Sequence, residues 1–302
     1  MGFKTYLSIL QAIAWTNRHG AASAVPDLQS MPAAFWRTQG WLLVLLCSAG
    51  LAHAAQSTNL GKYVTIQTGD IPVILSAPHG GGLVISGVPV RAGPGVRQFT
   101  TLRDVNTAEL AEKIAARLEH KLGGKPFLII ARFQRKYVDV NRPAEHAFEC
   151  EEVRGLYGAY HVALAEACTE VRRRWTHGLL LDIHGQSTNA SAIYRGTASG
   201  RTVRQLLQRA GEPAFLGASS VLGQLSASGI PILPSLNLTD PETILNGGYI
   251  VNTYGSHHAN GVDAIQLEFG TNLRKKAALE KTAEATAAAV AGFCLKYLPA
   301  PN

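Results

Sequence analysis

Residues 73–82 carry an unbroken apolar run directly into a histidine within a glycine-rich turn, Val73-Ile74-Leu75-Ser76-Ala77-Pro78-His79-Gly80-Gly81-Gly82. The same design recurs where Leu179-Leu180-Leu181 leads into Asp182-Ile183-His184-Gly185. Continuous apolar runs are typical of strands that are covered on both faces. Because open α/β sheets bind ligands at the carboxyl ends of their strands, the two histidines predict one polar centre at the rim of a buried sheet.

Apolar runs alternate with amphipathic stretches throughout residues 55–302, and this alternation predicts a layered α/β fold in a single domain. Strands are predicted at 63–67, 73–77, 127–133, 179–183, 230–233, 249–253 and 264–268. Helices are predicted at 105–121, 151–175, 202–210, 218–227 and 273–297. Long polar and glycine-rich connections are expected to form the walls of a pocket, at 83–103, 185–200 and 234–248.

The first 54 residues contain the parts of a removable leader, a signal peptide, in the usual order. Arg37 precedes a short apolar core at residues 41–46, and Ala52-His53-Ala54 follows as a small-x-small cleavage site. Since this core is too short to span a bilayer, we expect a secreted or periplasmic protein with no membrane span after cleavage near Ala54. An amphipathic amino-terminal anchor is the alternative, and Met31 is an alternative start because the preceding stretch is long for an n-region.

The chain carries a formal net charge of +7, and its basic residues are scattered along the sequence. A scattered distribution argues against nucleic acid as a partner, while a mildly basic domain suits small anionic substrates. Cys150, Cys168 and Cys294 remain after the leader, without a CxxC pair or metal-finger spacing. These three cysteines allow one disulfide but are too few for a fold that depends on several disulfides.

A His-Gly-Gly-Gly segment such as the one at His79 also occurs in lipase-like α/β hydrolases, where it forms the oxyanion hole. That chemistry requires a Gly-x-Ser-x-Gly nucleophile elbow. The closest match is at Ser219, in Gly217-Ala218-Ser219-Ser220-Val221, which lacks the final glycine. The serine-esterase interpretation is therefore disfavoured, and His79 is either a metal ligand or a structural residue.

Asp182 and His184 are two residues apart in a predicted strand, so their side chains point to the same face. A carboxylate behind a metal-bound imidazole fixes its tautomer and raises its basicity. A buried Asp–His pair without metal, or a general-base histidine, are the alternatives for this pair alone. Together with a second strand-end histidine at His79, the pair favours a metal site.

A catalytic zinc site takes three protein ligands and keeps one position for water, so a third ligand is needed. Asp104, just before the first predicted helix, is the favoured candidate. The alternative for Asp104 is a helix-capping role, since aspartate is a good N-terminal cap. Other candidates for the third ligand are Glu109, Glu149 and His257.

The segment from Arg135 to Pro143 combines basic, acidic and amide side chains, and we predict an extended backbone with Tyr137, Asp139 and Asn141 on one face. Arginine binds carboxylates in a two-pronged geometry that lysine cannot copy. Asn141 and Arg142 are therefore predicted to hold an acidic substrate. A salt bridge from Asp139 to one of the arginines, which anchors the loop, is the alternative, and both roles can coexist.

Glu268 ends an apolar strand in Gln266-Leu267-Glu268-Phe269-Gly270. A carboxylate at such a position is costly unless it is paired or functional. Near a metal it can accept a proton from water and later pass it to a leaving amine. The alternative is a structural strand-end glutamate.

In this order, the segments resemble the N-formylglutamate amidohydrolase family. The resemblance extends over nearly all of residues 65–275 and rests on Pro78-His79-Gly80-Gly81, Asp104, Arg135 with Asp139-x-Asn141-Arg142, Asp182-x-His184-Gly185 and Glu268. It implies a zinc-exopeptidase-like, phosphorylase/hydrolase-like fold: a three-layer α/β/α sandwich with a mixed, mostly parallel sheet. The whole of residues 55–302 would form this catalytic domain.

The resemblance also implies a reaction, the hydrolysis of the N-acyl (formyl) amide bond of a small acidic amino acid such as N-formyl-glutamate. One Zn²⁺ ion would be held by His79, Asp104 and His184, with Glu268 as the base. The resemblance further implies that Asn141 and Arg142 bind the substrate and that Arg135 assists at the carbonyl or at the substrate. Asp182 and Asp139 would lie behind the metal ligands and support them. A zinc carboxypeptidase or peptide amidase, and a non-catalytic exported binding protein for an anionic solute, are the alternative functions.

Overall fold

The computed structural model describes residues 61–298. The predicted leader lies outside these residues, and export stays a prediction that the amino-terminal sequence of the mature protein would test. Among the described residues, none of the helices has the length and apolar character needed to cross a membrane. Within the same range, Cys150, Cys168 and Cys294 are all free thiols.

One seven-stranded sheet forms the centre of the fold. Its strands are β1 (Val64–Gln67), β2 (Val73–Ala77), β3 (Phe127–Ala131), β4 (Leu179–Gln186), β5 (Ile193–Gly196), β6 (Ile232–Leu233) and β7 (Asp263–Gly270), in the spatial order β1-β3-β2-β4-β7-β5-β6. The β1–β3 and β5–β7 pairs are antiparallel, and the other four pairs are parallel. The predicted mixed, mostly parallel sheet is therefore confirmed.

Helices lie on both faces of this sheet. They are α1 (Thr107–Leu122), α2 (Ala144–Ala147), α3 (Arg154–Trp175), α4 (Arg204–Ala210), α5 (Glu212–Phe215), α6 (Val221–Ala227), α7 (Tyr249–Tyr254) and α8 (Leu279–Tyr297). Short 3-10 turns precede α3 and α4 at Glu151–Val153 and Arg201–Val203, and another follows β7 at Thr271–Arg274.

Successive side chains of the central strands enter two separate hydrophobic cores. In β2, Val73 and Leu75 pack in the core formed with α1 and α8, whereas Ile74 packs in the core formed with α3. Since both faces are covered, every residue of β2 is buried, as the unbroken apolar run predicts. The three-layer α/β/α arrangement is confirmed.

The predicted secondary structure is wrong in two places, the strand at 249–253 and the connection at 185–200. Residues 249–253 form part of helix α7, although their aromatic and β-branched side chains favour a strand. The backbone N–H of Ile250 donates to the side-chain oxygen of Asn141, 2.8 Å away, so a distant residue satisfies an amide in the first turn of this helix. Strand β5 lies within the connection predicted at 185–200, where the buried charge of Arg195 interrupts the apolar pattern.

A buried ion pair fixes the connection at 234–248. The side chains of Arg195 and Glu242 are 1% and 0% exposed and contact each other. Arg195 also donates to three backbone carbonyls of this connection, those of Ser235, Asn237 and Asp240. The ion pair therefore anchors a segment that lies beside the strand ends.

We expect Glu242→Gln to lower the free energy of unfolding by about 3–5 kcal/mol, because it leaves the charge of Arg195 buried without its partner. Urea denaturation followed by circular dichroism measures this change. The matched control is Glu151→Gln, which breaks the solvent-exposed pair with Arg154 and should leave the midpoint nearly unchanged. Equal midpoints for Glu242→Gln and the wild type would show that the pair does not stabilise the fold.

Candidate metal centre

Three buried side chains meet at the edge of the sheet where β2 and β4 end: His79, Asp104 and His184. The two Nδ1 atoms of the histidines are 3.2 Å apart. The Oδ2 atom of Asp104 is 3.5 Å from Nδ1 of His79 and 3.4 Å from Nδ1 of His184. One potential ligand atom from each residue therefore points into the same small space.

The glycines after His79 allow other segments to approach the turn closely. A Cβ atom on Gly80 would lie 2.3 Å from the backbone nitrogen of Ala108, at the start of α1. A Cβ atom on Gly81 would lie 2.3 Å from the carbonyl oxygen of Phe133. The glycine-rich turn therefore lets helix α1 and the segment after β3 pack against the histidine.

A carboxylate lies behind each imidazole. Nε2 of His184 is 2.8 Å from Oδ2 of Asp182, and Nε2 of His79 is 2.7 Å from Oδ1 of Asp139. A carboxylate accepts a hydrogen bond from a nitrogen that bears a proton, which places a hydrogen on Nε2 of each ring and turns Nδ1 towards the centre. Asp182 thus lies behind His184, where the spacing of two residues places it, and Asp139, whose supporting role the family resemblance implies, lies behind His79.

Asp182 is itself held by a buried chain of hydroxyl groups. Ser76 and Asp182 are register partners in the adjacent strands β2 and β4, and the Ser76 hydroxyl donates to Oδ1 of Asp182 at 2.7 Å. The hydroxyl of Tyr160 in α3 lies 2.8 Å from that of Ser76. All three side chains are fully buried, so this network fixes the carboxylate that orients His184.

Burial and neighbouring charges shift the pKa values of the centre. Burial alone would raise the pKa of Asp104, but its hydrogen bonds with His184 and His79 hold it well below the usual range. Burial would lower the pKa of His184, but the carboxylates of Asp182 and Asp104 raise it well above the usual range. The surroundings of the three side chains therefore favour a positive charge at the centre.

These donors fit a divalent metal ion such as zinc. Two imidazole nitrogens and one carboxylate oxygen are typical protein ligands of zinc, and the three atoms lie within 4.8 Å of one another. A carboxylate supports each imidazole, as is usual for metal-bound histidines. His79, Asp104 and His184 could thus hold a metal ion.

Of the alternatives for the third ligand, none lies at this centre. Glu109 pairs with Arg103 at the surface, Glu149 accepts hydrogen bonds from the backbone of residues 92 and 93, and the ring of His257 packs against that of His258. The residue at the amino-terminal cap of α1 is Asn106, so Asp104 does not have the capping role.

Glu268 lies beside the centre, opposite His184 in the register of β4 and β7. Its Oε1 atom is 4.0 Å from Nδ1 of His184 and accepts a hydrogen bond of 2.8 Å from the side-chain amide of Gln266. Burial raises the pKa of this carboxyl, while the charge of His184 opposes the increase. A buried carboxylate with a raised pKa is suited to accepting and releasing a proton.

The segment predicted to be extended between Arg135 and Pro143 consists of turns instead. The carboxylate of Asp139 accepts a hydrogen bond of 3.0 Å from the backbone N–H of Asn141, and the chain therefore folds around it. Tyr137 packs in the core beneath α3, whereas Asp139 and Asn141 reach the centre. The three side chains do not share one face.

Asp139 pairs with the buried Arg91, whose Nη2 atom lies 3.9 Å from its Oδ2 atom, and with two further arginines. Nε and Nη2 of Arg135 are each 2.9 Å from its Oδ2 atom, and Nε of Arg142 is 3.8 Å from the same oxygen. The loop-anchoring salt bridge proposed as an alternative is therefore present. The guanidinium groups of Arg135 and Arg142 also line the cavity above the centre, where they can bind a carboxylate.

Asn141 is buried at the base of this cavity. Its Nδ2 atom is 3.3 Å from Nε2 of His184, and its oxygen accepts from the backbone of Ile250 in α7. A Cβ atom on Gly248 would lie 2.2 Å from Nδ2 of Asn141, so this glycine is required for the close packing. Asn141 thus connects the metal centre with α7, and substrate binding by it stays a prediction.

A cavity of about 440 Å³ opens above the centre. Its lining includes His79, Asp104, His184 and Glu268, together with Arg135 and Arg142. Each of the three connections predicted to form pocket walls contributes to it, through Leu102, Thr188 and Ile244 among others. The predicted pocket is therefore confirmed, and the cavity has the size of a small-molecule site.

No protein-family model and no curated protein matches this sequence. Solved structures do match it in three dimensions. N-formylglutamate amidohydrolase from Ralstonia eutropha JMP134 superposes with a TM-score of 0.56 at 16% identity, over 77% of this chain and 98% of that one. A gene product of Agrobacterium tumefaciens superposes with a TM-score of 0.50 at 16% identity, over 77% and 95%. At this identity the likeness concerns the fold, which is the one that the sequence motifs predict.

Proposed function

We propose that this protein is a zinc-dependent amidohydrolase that cleaves the N-acyl bond of a small acidic amino acid, such as N-formyl-glutamate. The observation that carries the proposal is the convergence of His79, Asp104 and His184 at the base of a cavity that two arginines line. The shared fold with an N-formylglutamate amidohydrolase supports it. Reaction, substrate and ion are all part of the proposal.

Two histidines and one aspartate leave a coordination position open, as catalytic zinc sites do. When bound, the metal ion would lower the pKa of a coordinated water and polarise the scissile carbonyl. Asp182 and Asp139 keep both imidazoles in the tautomer that presents Nδ1.

Glu268 is the proposed general base. Its carboxylate would accept the proton of the attacking water and later donate it to the nitrogen of the departing amine. The side chain is 9% exposed, so the carboxyl would be largely shielded from bulk solvent while it holds the proton. The amide of Gln266 donates to Oε1, the carboxylate oxygen that lies 4.0 Å from Nδ1 of His184, and so orients the carboxylate beside the centre.

Arg142 and Arg135 are the proposed partners of the substrate's anionic groups. Arg142 is held by the carbonyl of Gln98 and by the charge of Asp139, so its guanidinium is oriented before the substrate arrives. Arg135, anchored by two bonds to Asp139, would assist at the carbonyl or at the substrate carboxylate. Asn141 would support this clamp from the cavity base.

A panel of N-acyl amino acids and short peptides, assayed on protein of known metal content, tests the proposal. We expect formyl-glutamate to be hydrolysed in preference to formyl-leucine. Arg142→Ala should lower kcat/KM for the acidic substrate by about 10–100-fold, since it removes a charge-assisted hydrogen bond. The matched control is Arg97→Ala, which removes an exposed arginine from the wall at 83–103 and should leave the rate within twofold.

Two other results would contradict the proposed activity. Preferential cleavage of short peptides would assign a carboxypeptidase or peptide amidase to the same metal centre. Tight binding of acidic solutes without turnover, by protein that holds no metal, would indicate a binding protein instead.

A further inference from the structure

We infer that Arg274 is a positioning residue that holds together the three segments carrying Asp104, His184 and Glu268. Its buried guanidinium donates to three backbone carbonyls from different parts of the chain. Nη1 donates to Val105, Nε to Phe269 at 2.9 Å, and Nη2 to Gln186 at 3.3 Å. The inference rests on the proposed metal site, because the segments it concerns carry the ligands and the base.

Each accepting carbonyl lies next to a residue of the site. Val105 directly follows Asp104, Phe269 directly follows Glu268, and Gln186 is two residues beyond His184. These segments are the connection before α1 and the carboxyl ends of β7 and β4. One rigid group thus fixes the backbone at all three positions, which the planar fork of arginine can do and the single ammonium of lysine cannot.

Gly185, the glycine that follows His184, is explained by this contact. A Cβ atom there would lie 2.4 Å from Cζ of Arg274. Gly185 lies within strand β4, and its φ is outside the left-handed region, so alanine could adopt the same backbone conformation. Glycine is therefore needed for the space that the guanidinium occupies.

Further contacts connect Arg274 with the same centre. The side-chain amide of Asn106 donates to the carbonyl oxygen of Arg274 at 2.7 Å. The positive charge also attracts the carboxylates of Asp104 and Glu268. Arg274 does not line the cavity, and its guanidinium is occupied by backbone carbonyls, so it acts through the neighbouring segments rather than on the substrate.

A double-mutant cycle between Arg274 and Gly185 tests the inference, with the zinc dissociation constant measured by chelator competition. We expect Arg274→Ala and Gly185→Ala each to weaken zinc binding by about 10–100-fold, the usual effect of removing support from a metal site. Since the methyl group of alanine fits once the guanidinium is gone, the double variant should bind zinc within twofold of Arg274→Ala. Arg274→Lys should bind zinc more tightly than Arg274→Ala but less tightly than the wild type. In both Arg274 variants, kcat should fall by a larger factor than KM rises.

The matched control is Arg209→Ala, which removes an arginine paired with Asp263 at the opposite end of β7. This variant should melt at a lower temperature yet bind zinc within twofold of the wild type. The positioning role would be overturned if Arg274→Ala bound zinc as tightly as the wild type. It would also be overturned if the loss of zinc affinity in the double variant equalled the product of the two single losses. The proposed function would stay intact in both cases. A wild type that takes up no zinc would overturn both. If Arg274→Ala does not fold, Arg274→Lys and Gly185→Ala provide the same comparison.

Discussion

His184→Ala is expected to lose stoichiometric zinc and to lower kcat/KM by about 10³-fold or more, because a catalytic metal contributes several kcal/mol to the transition state. The substitution removes one of the three proposed ligands, and we expect His79 and Asp104 not to hold the ion alone. It also leaves the buried carboxylate of Asp182 without its imidazole partner. Metal analysis of dialysed protein, followed by hydrolysis assays, measures both effects.

His177→Ala is the matched control, since this imidazole precedes the same strand β4 at its other end. It should keep zinc and activity within twofold. His184→Asn keeps a polar side chain at this position and serves as a second variant if His184→Ala does not fold. Circular dichroism checks that each variant is folded. Wild-type zinc content and rates in a folded His184 variant would refute the metal site.

Glu268→Gln is expected to retain zinc but to lower kcat by about 10²–10⁴-fold, the usual contribution of a general base. The replacement keeps the shape of the side chain and its acceptor for Gln266, but it removes the ability to take a proton. Zinc content and single-turnover rates separate binding from chemistry.

Glu109→Gln is the control for this variant, because Glu109 is a surface glutamate outside the centre. It should change neither zinc content nor kcat. A Glu268→Gln variant with normal kcat would refute the assignment of the base. Loss of zinc from the same variant would instead make Glu268 a fourth ligand.

The core of the fold and the histidines of the site follow from local sequence patterns. Apolar runs specify β2 and β4, and strands that run parallel bring their carboxyl ends, with His79 and His184, to one edge of the sheet. Asp182 is predictable for the same reason, since the period of two in a strand fixes its side. These inferences need only the pattern within each strand.

Contacts between distant segments could not be predicted from the patterns within single strands. Asp139 reaches His79 only because its carboxylate draws the local backbone into turns, which overrides the extended pattern of residues 137–141. Helix α7 forms where a strand is predicted, with an amide of its first turn bound to Asn141. For Asp104, the sequence was compatible with both a metal ligand and a helix cap, and the structure removes the capping role because Asn106 is the cap of α1.

The orientation of the two imidazoles bears on the size of ion that the proposed site would accept. Nδ1 is the ring nitrogen nearer to the main chain, so the position of each donor atom depends mainly on its backbone. His184 lies within β4, and His79 follows two residues after the end of β2, the strand that pairs with β4. We therefore expect an ion of a different radius to require a shift of the backbone at the strand end or in the glycine-rich turn, and not only the rotation of a side chain.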